Sequence, residues 1–163
     1  MKPERYRAIL WGGLVAGILD LTAAISISVW FGRTPVQLLQ LVASGLLGAD
    51  AYAGGLSVAF LGGLLHFAIA FSAATVYYLM SRRLRVLTER PLICGILYGI
   101  AVYHFMNQVV LPLSAYPHPI AITPASYLRG ILVHMFCVGL PIAIGVSRYS
   151  RNTTRQKIVP VTS

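Results

Sequence analysis

Charge is what this chain lacks. Only 10% of its 163 residues are Asp, Glu, Lys or Arg, where a soluble domain carries about 25%. Acid is scarcer still, with 4 Asp+Glu against 13 Lys+Arg. Cysteine is almost missing: Cys94 and Cys137 both sit in apolar stretches and form no CxxC pair, so no thiol-redox motif is present and both read as small buried hydrophobes. No nucleophile elbow, P-loop or dinucleotide loop occurs. Gly12-Gly13 and Gly62-Gly63 lie inside apolar runs rather than at phosphate-cradling turns. The sequence carries no enzyme signature and no nucleic-acid motif.

What is present is apolar. Hydrophobic residues make up 57% of the chain and mean hydropathy is +0.75, and runs of 18 or more apolar residues place it in the membrane class. The pattern predicts an all-α bundle of four transmembrane helices, over residues 8–32, 54–81, 91–114 and 126–147. The first run is longer than the 7–15 residues of a signal-peptide core, so it reads as an uncleaved signal anchor. Between the first two spans, Thr34, Pro35 and Gln37 suit the N-cap, first position and capping box of a helix. That helix, residues 35–48, is too short to cross a bilayer. Gln37, Gln40 and Ser44 fall opposite Leu38, Leu39, Leu41, Val42 and Leu46, as in an amphipathic helix lying in the interface. A re-entrant segment is the alternative. Pro112, Pro117, Pro119 and Pro124 stiffen the last outer loop. Residues 148–163 form a basic tail, expected to be disordered and held against an anionic membrane surface.

Orientation follows from the cations. Lys2, Arg5, Arg7, Arg82, Arg83, Arg85, Arg90, Arg148, Arg151, Arg155 and Lys157 flank one side, and only Arg33 and Arg129 the other. The positive-inside rule puts both termini in the cytoplasm, which an even number of spans requires.

Each span carries one ionisable group near its middle: Asp20, His66, His104 and His134. Measured from the inner end of its own helix, each lies about 18–22 Å deep. Intramembrane ionisable groups cost a few kcal/mol each at a helix centre and turn inward. Small residues share the faces of Asp20 (Gly13, Ala16, Gly17), His66 (Ala59, Gly62, Gly63) and His134 (Gly130, Gly145), and small residues let membrane helices approach closely. Asn107 and Gln108 follow His104 at i+3 and i+4. The expectation is one buried polar cluster of Asp20, His66, His104, Asn107, Gln108 and His134. Pro141 leaves the Cys137 carbonyl without its helical donor one turn from His134, a candidate ligand or water site.

Three chemistries compete for such a cluster. It could fix helix register and do no more. It could relay protons or pass a small solute, since imidazole titrates near neutral pH; a four-span chain is small for a transporter, which implies a homodimer. Or His66, His104 and His134 with Asp20 could ligate a divalent metal, or two of the histidines a haem. His118, in the Pro-rich loop, is an exposed histidine with outer metal capture as its alternative. Arg129 is expected to snorkel outward or, turned inward, to attract an anion.

Gly95-Ile96-Leu97-Tyr98-Gly99, then Asn107, then Leu111-Pro112-Leu113, resembles the YagU-like bacterial inner-membrane proteins. His66 through Phe71 to Val76-Tyr77 is similar, as is Ser126 with Gly130 and Leu132-Val133. The resemblance implies a multi-span protein of the bacterial cytoplasmic membrane, of unknown molecular activity, with a link to acid tolerance. The family pattern has His at the position of Asn107 and an aromatic at that of His134, which suits a loose polar network better than a fixed three-His site. The expected function is therefore proton or small-solute handling by a small inner-membrane protein that needs no cofactor. Its partners are the bilayer, its anionic cytoplasmic leaflet and a second copy or membrane partner. The alternatives are a structural or assembly subunit and a haem- or metal-binding bundle.

Overall fold

Four helices are long and apolar enough to cross a membrane: Tyr6–Trp30, Gly55–Ser81, Pro91–Leu113 and Pro124–Tyr149. They are the four spans of an all-α membrane protein. A computed structural model describes residues 3–118 and 123–158, with side chains for 6–118 and 123–149. In chain order the helices are α1 (Pro3–Trp30), α2 (Pro35–Leu47), α3 (Gly55–Ser81), α4 (Val86–Glu89), α5 (Pro91–Phe105), α6 (Leu111–Leu113), α7 (Pro124–Val133) and α8 (Leu140–Ile158). There is no strand among the described residues.

Local chemistry sets the helix starts. Pro35, Pro91 and Pro124 each stand in a first turn, where the missing N–H costs nothing. Thr34 and Gln37 form the expected capping box: Thr34 Oγ1 accepts from Gln37 N at 3.2 Å and Gln37 Oε1 from Thr34 N at 2.9 Å. Thr123 and Ser126 form a second box that starts the fourth span at Pro124, two residues earlier than expected. The last helix corrects the sequence reading at its other end. It runs to Ile158 instead of giving way to a disordered tail at 148, because no Gly or Pro interrupts the chain before Pro160. Residues 159–163 of that tail lie outside the described residues.

Each proline inside a span follows a π-helical turn. Met106–Val110 precedes Pro112 and His134–Gly139 precedes Pro141. A proline has no N–H to give the carbonyl four residues back, and the wider π turn absorbs the gap.

Glycine sets the helix crossings. Gly95 and Gly99 meet the π turn of the fourth span: a Cβ on Gly99 would stand 2.6 Å from Met135 Cα, and one on Gly139 would stand 2.7 Å from Gly99 Cα. Gly12 and Gly145 bring the first and fourth spans together, since a Cβ on Gly145 would lie 3.2 Å from Gly12 Cα. Gly13 and Gly17 receive Phe71 and Phe67 of the second span. Such close approach is how membrane helices gain dispersion contacts without a hydrophobic drive.

These crossings place both termini at one end of the bundle. That end holds the core: Ala8, Ala16, Ala74, Tyr77, Val138, Ile142, Ala143 and Val146. The Tyr77 hydroxyl donates to Leu87 O at 3.0 Å, Tyr98 donates to Ala73 O at 2.8 Å, and Ser147 donates to Thr88 O at 2.7 Å. Side chains thus tie α4 and the second, third and fourth spans where the loop between them is short.

At the far end α2 does not lie polar face outward. Gln40 and Ser44 are buried with Leu38 and Ala43, while Leu46 and Leu47 are exposed. The Gln40 amide donates to Gly55 O at 3.1 Å. The Leu39 backbone sits against Gly62, where a Cβ would come within 2.7 Å of Leu39 C. A close backbone approach wants small and polar groups at the contact, so the face read as water-facing is the one that packs on the second span.

Candidate functional site

The register of the spans separates the four ionisable groups. Gly99 is level with His134 and Met135, whereas His104 reaches Tyr127. From Tyr127 to His134 is seven residues of the fourth span, about 10 Å. Asp20 is near enough to Cys137 to be felt electrostatically at that thiol, and Cys137 lies ten residues from Tyr127, about 15 Å. The expected single buried cluster is therefore not formed. The inner ends of the helices are not flush: α1 starts at Pro3 and α8 ends at Ile158, while Gly95, only four residues into α5, already packs against Ala143. Counting depth from each helix's own end placed His104 at the level of the others when it lies farther out.

Each histidine instead has local partners. His66 Nε2 stands 2.9 Å from Gly17 O. A carbonyl can only accept, so Nε2 carries the proton and Nδ1 keeps its lone pair. His134 has the opposite tautomer, because its Nδ1 lies 2.9 Å from Gly130 O. Asp20 is half-buried and has no hydrogen bond or ion pair among the described residues. Asn107 donates to Tyr103 O at 2.8 Å, back across its own π turn.

The structure does bring together His104, Gln108, His134 and two residues outside the expected cluster, Tyr103 and Tyr127. Gln108 Nε2 lies 3.2 Å from His104 Nδ1, and His104 Nε2 lies 3.3 Å from Tyr127 Oη. An amide nitrogen only donates. His104 therefore accepts at Nδ1 and donates from Nε2 to the Tyr127 oxygen, which leaves the Tyr127 proton pointing onward. Tyr103 stands in the middle, 7% exposed. Its ring meets those of His104, Tyr127 and His134 edge-on, with centroids 5.6, 5.6 and 5.3 Å away. Gly130 makes the room, since a Cβ there would stand 3.0 Å from Tyr103 Cζ. Gly130 is one turn from Tyr127 and one turn from His134, and the Tyr103 ring lies between the rings of those two residues. The Tyr103 hydroxyl has no hydrogen-bond partner among the described residues.

The other candidates have simpler surroundings. His118 Nε2 lies 3.1 Å from Tyr52 Oη, and its ring packs on Tyr52 and Tyr116. Burial, with Tyr52 adding to it, pushes the Tyr116 phenol up, and Arg33 pulls it down. Arg129 lies 4.9 Å over the Phe31 ring, a cation–π contact that joins the far ends of the first and fourth spans. A cavity of about 390 Å³ between the second and third spans is lined mainly by apolar groups such as Ile69, Val76, Val102 and Phe105, with Ser72 and Tyr98, and by none of Asp20, His66, His104 and His134. Among the described residues no three His, Cys, Asp or Glu side chains are grouped to share a metal ion.

No family model matches this chain, and no curated protein or solved structure is similar to it.

Proposed function

We propose that this chain handles protons within the membrane, along Gln108, His104, Tyr127, Tyr103 and His134. Tyr103 carries the proposal. Its ring is 7% exposed while its hydroxyl has no hydrogen-bond partner among the described residues, and such a group calls for an explanation. Its ring touches those of Tyr127 and His134, whose own hydrogen bonds go to His104 and to Gly130 O. A proton arriving at His104 Nδ1 would displace the Gln108 bond and release the Nε2 proton to the Tyr127 oxygen. Tyr127 would pass its own proton by way of Tyr103 to His134 Nε2, with water closing the gaps. Neutral imidazole suits this because it accepts at one nitrogen and donates from the other.

The same proposal places the chain in the bacterial inner membrane with both termini cytoplasmic, from its cation distribution, and among the YagU-like proteins. The Gly95 and Gly99 of that resemblance hold the third span against the fourth beside the relay. One observation favours a second reading, an assembly subunit: Asp20, in mid-span, has no hydrogen bond or ion pair among the described residues.

Proton flux into proteoliposomes tests the first reading. Tyr127→Phe and Tyr103→Phe each keep the ring and remove one hydroxyl. Flux is expected to fall at least tenfold in both, toward the lower end of what one positioned proton-transfer group contributes. Wild-type flux in Tyr103→Phe would end the relay proposal.

A further inference from the structure

The end of the second span combines two features that the relay does not use. Arg82 and Arg83 are exposed there and have no carboxylate partner among the described residues. Glu89, the acid of the same loop, has interactions of its own. With Leu79, Met80 and Leu84 the two arginines line a hollow of about 680 Å³. The three apolar members are 47%, 41% and 50% exposed. The hollow is thus lined by two cations and three exposed apolar side chains.

The backbone leaves the hollow open to an anion. Exposed carbonyls at a helix C-terminus repel negative charge. Here Arg82 N donates to Leu79 O at 3.3 Å, and Arg83 N and Leu84 N donate to Met80 O at 3.0 and 2.9 Å. Ser81 Oγ donates to Tyr78 O at 2.7 Å. The Tyr78, Leu79 and Met80 carbonyls are thus occupied.

We propose that this hollow binds an anionic phospholipid. The headgroup phosphate takes Arg82 and Arg83, whose planar forks match phosphate oxygens in pairs. The acyl chain follows Leu79, Met80 and Leu84. Three apolar members among five favour a lipid over free phosphate, which would leave those side chains exposed. Basic pockets at the ends of membrane helices hold phospholipid headgroups in this way.

Native mass spectrometry of the detergent-purified full chain tests it. Phosphatidylglycerol and phosphatidylcholine with the same acyl chains are offered in competition. The wild type is expected to retain phosphatidylglycerol. The Arg82→Gln/Arg83→Gln double variant is expected to bind it about 30-fold less well. The Arg85→Gln/Arg90→Gln variant removes equal charge outside the hollow and is expected to keep most of the binding. Excess glycerol phosphate is expected not to displace the lipid. Equal retention of the two lipids by wild type, equal losses in the two double variants, or displacement by glycerol phosphate would each overturn the site. The wild-type competition decides the matter even if a variant fails to fold.

Discussion

Gly99→Ala is expected to destabilise the bundle by about 3 kcal/mol, the upper part of the range for overpacking a filled interior. The methyl group would stand 2.6 Å from Met135 Cα and 2.7 Å from His134 C. Both are backbone atoms, so no rotamer change relieves the contact. The third and fourth spans must part by nearly an ångström, and the dispersion contacts of the whole crossing fade with that separation. Gly63→Ala is the control, because nothing lies within 4 Å of a Cβ there; it is expected to change stability by less than about 1 kcal/mol. Unfolding by titration with SDS, followed by circular dichroism, measures both. A Gly99→Ala protein as stable as Gly63→Ala would show that the spans do not cross at Gly99. The relay sits on the same crossing, so Gly99→Ala is also expected to lose proton flux.

Replacement of Asp20 should act in the opposite direction. A carboxyl group at the middle of a membrane helix costs about 2.5–3.5 kcal/mol on insertion scales, and among the described residues no hydrogen bond or ion pair offsets that cost. Asp20→Leu is therefore expected to raise the stability of the isolated chain by about 2 kcal/mol, less than the insertion figure because the residue is only half-buried. Melting in detergent, with molar mass by light scattering, gives the answer. Lower stability together with loss of an oligomer would instead assign Asp20 to contacts between chains, which is the assembly reading.

The fold was legible because its signals are local. Four long apolar runs, the Thr34–Gln37 capping box and the first-turn prolines depend on neighbours within a few residues. The site was not, because it depends on how far each helix slides past the next. Asp20, His66, His104 and His134 look equally deep when each helix is measured from its own end, and the sequence does not say that Gly95, one turn into the third span, meets Ala143. Tyr103 was overlooked for a related reason: an interior tyrosine in a span reads as packing until its hydroxyl is found without a partner. A signal was present, since Tyr103 adjoins His104 and Gly130 lies midway between Tyr127 and His134. The α2 helix shows the same limit. Gln40 and Ser44 mark one face correctly, but only the position of Gly62 reveals that this face meets protein. Pro141 was read as a break that leaves a carbonyl bare, whereas the chain widens into a π turn there and does the same before Pro112.

The central claim is that the imidazoles have fixed and different tautomers, so that hydrogen bonds run in one direction from Gln108 to Tyr127 while His134 keeps its lone pair on Nε2. Nitrogen-15 chemical shifts of the histidine side chains, recorded by solid-state NMR on the full chain in bilayers at neutral pH, report this directly. His66 and His104 are expected to carry the proton on Nε2 and His134 on Nδ1. Protonation of His104 on Nδ1, or of His134 on Nε2, would contradict the account.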